Sequence, residues 1–244
     1  MLINHSRILA VVVLAGLATG CSSSSSLFKP SVADQKKLGD QAAVDLEKQS
    51  KMVAGPRLAR VEHVGQRLVN ALPSNDRKTW DFRFHVIDSK EVNAFALPGG
   101  NMFIYTGLLD RIKTDDELAA VMGHEMTHVR KEHWANMAAK DQERSAGLGI
   151  LLGVTRASRD WYNVAGVANS LVNLRYSRKD EDQADEGGLN NMVAAGYRPS
   201  GMLDLFHTLE VAAREGSTPT FLRDHPLTST RIAKTKQRIA RMNR

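Results

Sequence analysis

The chain is 244 residues long, with 33 Lys and Arg against 27 Asp and Glu and a single cysteine. That length can bury one sizeable core, no compositional break asks for a second, and the lone cysteine excludes a disulfide within the chain. The positive surplus gathers at the C-terminal end (Arg231, Lys234, Lys236, Arg238, Arg241 and Arg244), where helical spacing reads as a solvated face rather than a nucleic-acid surface.

In chain order, residues 1–20 read as a signal peptide: Arg7 supplies the basic start, and Ile8 to Leu17 is an apolar run too short to span a bilayer. The run ends in Leu17-Ala18-Thr19-Gly20-Cys21. This resembles the cleavage box of bacterial lipoproteins, with Ala18 standing where leucine is preferred. Cys21 is therefore expected to carry lipid, and residues 21–30, with Ser22 to Ser26, to form a flexible tether. Serine after the lipidated cysteine resembles the outer-membrane signal of Gram-negative lipoproteins. The expected location is the outer membrane, facing the periplasm, where the chain meets no nucleic acid. Residues 31–244 are expected to form one domain.

Residues 31–50 and 56–72 read as helices, the second with Leu58, Val61, Val64, Leu68, Val69 and Leu72 at helical spacing. Pro73-Ser74-Asn75-Asp76 ends it. From Asp81 to Asp88 the period changes to two, with Phe82, Phe84 and Val86 on one face of a strand and His85 on the other, towards solvent. Asn93 to Leu97 predicts a second strand, Pro98-Gly99-Gly100-Asn101 a turn and Met102 to Thr106 a third strand. Thr114 and Glu117 have capping-box spacing, so a helix is expected from Asp115 past His128 to about Lys140. Residues 144–174 read as helical and rich in small apolar residues. Further helices are expected over Asp180–Ala195, from Pro199-Ser200 to Arg214, and over Thr228–Met242. The fold class is mainly α with a small β-sheet (α+β).

His124-Glu125-Met126-Thr127-His128 is the zinc-hydrolase pattern H-E-x-x-H. Positions four apart share a helix face, so both imidazoles can grip one metal ion, and Glu125 can take a proton from an activated water. His133, five residues beyond His128, would lie about 140° round the helix and outside such a site. A catalytic zinc needs a third protein ligand. Glu181 and Asp185, four apart on the Asp180–Ala195 helix, offer a ligand and a partner for the outer nitrogen of a ligand histidine. A solvated acidic helix start is the alternative for that pair, favoured by the helix dipole.

Four blocks in order carry a family resemblance over roughly residues 56–240. They are Asn93 to Gly100 followed by Thr106-Gly107-Leu108-Leu109, the H-E-x-x-H, Tyr176-Ser177-Arg178 leading into Glu181 and Asp185, and Asp224-His225-Pro226 with Arg231-Ile232. Together they resemble the HtpX and CAAX-prenyl-protease type of zinc metallopeptidase, a zincin-like fold, and most of all its LoiP-type outer-membrane lipoproteins. The resemblance implies one Zn²⁺ on His124, His128 and Glu181, with Glu125 as base and Asp185 behind a ligand. His225 would either donate to the transition state or swing onto the metal and hold the enzyme latent; capping the turn before Pro226 is the plainer alternative. Arg231 would orient Asp185 or Glu181, or bind substrate backbone. The family's intramembrane members have spanning helices that this chain lacks, which puts intramembrane or prenylated substrates in doubt; unfolded or misfolded envelope proteins are the expected substrates, because strand addition reads backbone more than side chains. A substrate strand is expected to add to an edge formed by Gly100, Asn101, Met102, Phe103 and Ile104. The rival reading is a chaperone or assembly factor working with outer-membrane assembly machinery, with proteolysis secondary.

Overall fold

Ser31, Thr114 and Ser177 each start a helix in the same way, with the side-chain oxygen accepting from the third helical residue while that residue's carboxylate accepts from the cap. The computed structural model describes residues 28–151, 171–172, 174–216 and 218–242. The signal segment, Cys21, the serine tether and residues 152–170 of the predicted small-residue helix lie outside them. Among the described residues the helices are α1 (Val32–Gln49), α2 (Pro56–Ala71), α3 (Ser74–Thr79), α4 (Thr106–Leu109), α5 (Asp115–Arg130), α6 (His133–Leu151), α7 (Arg178–Ala194), α8 (Gly201–Arg214), α9 (Thr220–Asp224) and α10 (Ser229–Met242). None of them is long and apolar enough to cross a membrane. The strands are β1 (Arg83–Ile87), β2 (Ala94–Ala96) and β3 (Asn101–Tyr105).

The sheet order is β1-β3-β2, with β1 parallel and β2 antiparallel to β3. The expectation of an edge strand over Gly100–Ile104 is therefore wrong. β3 is the central strand: β1 takes one row of its main-chain groups and β2 the other. The free edge near α5 belongs to β2. Asn93 accepts from the Tyr105 amide and Leu97 donates to the Asn101 carbonyl, so by alternation the groups of Ala94 and Ala96 point away from β3.

Both faces of the sheet are covered. Val86, Ala94, Ala96, Met102 and Ile104 join the larger core with α2, α5 and α8. Ile87, Phe95, Leu97 and Phe103 join a second cluster under α1 and the start of α6. His85 is half-buried rather than fully open to solvent: its ring stacks on Phe103 with centroids 4.5 Å apart, and its Nδ1 lies 3.1 Å from Glu47 Oε1. The turn into β3 depends on Gly99 and Gly100, at φ 93° and 124°, a region that side chains with a Cβ avoid.

Every residue from Glu117 to Val129 is buried, which makes α5 the axis of the molecule. It crosses α7 closely enough that a Cβ on Gly188 would come 2.7 Å from the His124 amide nitrogen. The sequence reading carries α5 on to about Lys140, but it stops at Arg130. Glu132 takes a left-handed φ of 52°, and α6 begins at His133. Two partners hold the Glu132 carboxylate at this bend, Gln35 Nε2 at 2.8 Å and Lys29 Nζ at 3.1 Å. A non-glycine residue in that conformation costs on the order of 1 kcal/mol.

Candidate metal centre

A helix buried all round should be apolar, yet α5 carries His124, Glu125, Thr127 and His128 through the core. Buried polar groups need partners. Thr127 bonds back to the Gly123 carbonyl at 2.8 Å. The two histidines and the glutamate instead face a cluster supplied by α7 and by the segment after α9.

His124, His128, Glu181 and His225 are all buried, and one potential ligand atom from each lies within 4.8 Å of the others. His124 Nε2 is 3.1 Å from His128 Nε2 and 3.3 Å from His225 Nδ1. Glu181 Oε1 is 2.9 Å from His225 Nδ1 and 3.6 Å from His128 Nε2. Glu181 Oε2 is 3.6 Å from His124 Nε2. A tetrahedral ion about 2.0–2.1 Å from each ligand would set its ligand atoms about 3.3 Å apart, and these separations scatter around that spacing. The residues present fit a metal ion. Burial and three neighbouring imidazoles hold His128 well below its ordinary pKa, which favours the neutral form that ligates metal.

The outer shell is as ordered as the inner one. Asp185 Oδ1 lies 3.1 Å from His124 Nδ1. Arg231 clamps Asp185 through Nε at 2.7 Å and Nη2 at 2.6 Å, and its Nη1 reaches Glu181 Oε2 at 2.8 Å. The same Nη1 donates to the His225 and Pro226 carbonyls at 3.2 and 3.1 Å. Burial works against an ionised Asp185, but the bonds from Arg231 and His124 outweigh it and bring its pKa to about 2. Burial likewise opposes ionisation of Glu181, and His225, His124 and Arg231 overturn it, leaving this carboxyl below its usual range.

Glu125 differs. Its Oε2 accepts from the Ala96 amide at 3.1 Å, which ties the base to the β2 edge. Its Oε1 is buried without a hydrogen-bond partner, 3.5 Å from His225 Nε2. Burial raises the Glu125 carboxyl, against the pull of His225 and His124. Burial depresses His225, yet the flanking Glu125 and Glu181 carboxylates push it above its ordinary value. Two rings bracket the cluster: Tyr176 stacks on His128 with centroids 4.0 Å apart, and Phe221 on His225 at 4.7 Å.

Thus the structure brings together His124, Glu125, His128, Glu181, Asp185, His225 and Arg231. It places Gly100, Asn101, Met102, Phe103 and Ile104 elsewhere. Asn101 bonds Asp40 at 2.8 Å, and Met102, Phe103 and Ile104 are fully buried in the middle of the sheet, so none can meet a substrate strand. Cys21 lies outside the described residues. His133, which helical spacing sets aside, reaches the cluster because α5 breaks: its Nδ1 is 2.9 Å from His128 Nδ1. Tyr176 and Ala96 sit inside quoted motif blocks, but spacing alone assigns neither a contact.

The profile described as Peptidase family M48 matches residues 57–239. The chain is 30% identical over 237 residues to the Beta-barrel assembly-enhancing protease of Escherichia coli (strain K12), covering 91% of this chain and 47% of that protein. It thus spans about half the length of that relative. Metalloprotease YcaL of the same organism is 26% identical over 265 residues, covering 97% of this chain and 98% of YcaL. Metalloprotease LoiP, also from E. coli, is 28% identical over 253 residues, covering 96% of each.

Proposed function

The chain belongs to peptidase family M48, and from that premise we propose that it is a zinc-dependent endopeptidase acting on unfolded or misfolded proteins of the cell envelope. The observation that carries the reading is Glu125 Oε1, a buried carboxylate oxygen with no hydrogen-bond partner beside a cluster of four metal-binding side chains.

His124, His128 and Glu181 would hold the ion, which when bound supplies Lewis acidity and a water acidic enough to attack at neutral pH. Two imidazoles and a carboxylate suit zinc. Glu125 Oε1 takes the proton of the attacking water while Oε2 stays on the Ala96 amide; it then returns the proton to the leaving amine. Asp185, backed by Arg231, keeps the His124 ring in one orientation and one tautomer. An extended substrate adds to the outer edge of β2 by donating to the carbonyls of Ala94 and Ala96, whose amides are held by Asn93 Oδ1 and Glu125 Oε2; this reads backbone rather than side chains and suits unfolded proteins.

The fourth corner of the cluster is taken by His225 Nδ1. We read this arrangement as a resting state in which His225 blocks the position that water and substrate need. Phe221 donates its amide to the Val92 carbonyl at 3.1 Å, so the same segment also sits across the start of the substrate edge. This closed geometry favours one second reading, an outer-membrane assembly factor or chaperone whose proteolysis is latent. For location, the lipoprotein-like box at Cys21 supports attachment to the outer membrane on the periplasmic side.

The test is cleavage of unfolded casein by the purified chain. Activity lost on chelation and restored by stoichiometric zinc supports the reading. Activity indifferent to chelation would end it.

A further inference from the structure

His133 stands outside the H-E-x-x-H pattern, and the mechanism above gives it no part. It is 2% exposed, and a buried imidazole must account for both ring nitrogens. Its Nδ1 lies 2.9 Å from His128 Nδ1 and its Nε2 lies 3.0 Å from Gln183 Oε1, with Asp180 Oδ1 the next acceptor at 3.7 Å. On an unbroken helix His133 would be about 140° away from His128. The bend at Glu132, with φ 52°, is what carries it across.

Two ring nitrogens that face each other at this distance share one proton. With Nε2 of His128 turned into the cluster, its Nδ1 carries that proton and donates it outward. His133 Nδ1 is then the bare acceptor, and its own proton sits on Nε2, aimed at Gln183. We propose that His133 is a positioning residue for the metal centre, fixing the tautomer and ring plane of His128 by accepting from Nδ1–H while anchored through Nε2–H on Gln183. The stack of Tyr176 on the same ring at 4.0 Å holds its face, so edge and face are both set. The two histidines of the pattern are therefore supported by unlike groups. His124 leans on a carboxylate locked by Arg231, whereas His128 leans on a neutral imidazole backed by an amide.

This inference rests on the reading of His128 as a metal ligand, and its test separates the two. Zinc affinity of the full chain is measured by competition with a chromophoric chelator, alongside the thermal midpoint of each metal-free protein. Loss of such a supporting partner weakens metal binding by about 10–100-fold, so His133→Phe, which keeps a ring but accepts nothing, should fall in that range. His133→Gln, whose amide can both accept and donate, should stay within about threefold of wild type. Gln183→Leu, at the partly exposed far end, should weaken binding in the same direction by less. Unchanged affinity in His133→Phe overturns the proposal, as does His133→Gln binding as weakly as His133→Phe. Should His133→Phe fail to fold, Gln183→Leu decides, and wild-type affinity there counts against the proposal. A chain that shows this affinity pattern but cleaves nothing keeps the positioning role and loses the peptidase reading.

Discussion

Arg231 offers the sharpest stability prediction. Its side chain is 8% exposed, and its guanidinium sits between two buried carboxylates, Asp185 at 2.6 Å and Glu181 at 2.8 Å, while also gripping the His225 and Pro226 carbonyls. Arg231→Met keeps much of the side-chain volume and removes every one of those donors. Breaking a buried ion pair from one side costs about 3–5 kcal/mol, because the remaining charge stays buried and uncompensated. Here one carboxylate keeps His124 and the other keeps His225, which points to the lower half of that range. For a chain of this size each kcal/mol moves the thermal midpoint by roughly 2–4 °C, so a fall of about 6–16 °C is expected in the metal-free protein. Arg231→Lys places a point charge that can meet one carboxylate well but not fork across both, and should fall in between. The assay is urea and thermal denaturation of metal-free wild type and both variants. A loss below about 1 kcal/mol in Arg231→Met, or Lys behaving no better than Met, would refute this account of how the cluster is held.

Three further outcomes follow from the same geometry. His225→Ala should raise basal cleavage of casein several-fold with zinc retained, read in a continuous fluorescence assay; a fall in kcat would instead make His225 a transition-state donor. Gly188→Ala would set a methyl 2.7 Å from the His124 amide nitrogen and 2.9 Å from the Gly123 carbonyl carbon. Spreading α5 from α7 should cost about 1–3 kcal/mol in denaturation and weaken zinc binding along with it; wild-type stability would show that the crossing tolerates the group. Asp185, brought from 3.8 to about 2, contributes stability that is fully present above its unfolded pKa and is lost as pH falls through the folded one. Its contribution is worth roughly 2 kcal/mol, so the stability gap between wild type and Asp185→Asn should close between about pH 5 and pH 2. A gap independent of pH over that window would contradict the pairing with Arg231.

The parts of the fold that could be read from sequence are those decided locally. Capping residues three apart announce α5, and the periodic apolar face announces α2. The metal pair on α5 and the carboxylates on α7 follow from the same spacing logic, because i and i+4 meet on one face whatever surrounds them. The rest depends on long-range partners. The end of α5 escapes notice because Glu132 is neither glycine nor proline, and its left-handed turn is held by Gln35 and Lys29 about a hundred residues away. With the bend hidden, His133 could only be placed on the wrong side. The strand order was equally out of reach: Pro98 to Asn101 predicts a hairpin between β2 and β3, which is correct, but nothing local says that β1 will add on the other side of β3. That one parallel pairing moves the free edge from β3 to Ala94–Ala96. His85 fails for the same reason, since the second core cluster under α1 covers the face that alternation assigns to solvent. α3 and α9 are too short for a periodic signal.

The central claim is that this cluster is a peptidase site with Glu125 as its base, and Glu125→Gln tests it most directly. The amide keeps the size of the side chain and cannot accept the proton, so zinc content should stay at one ion per chain while casein cleavage falls by about 10²–10⁴-fold. Cleavage by Glu125→Gln at the wild-type rate, with zinc in place, would contradict the account.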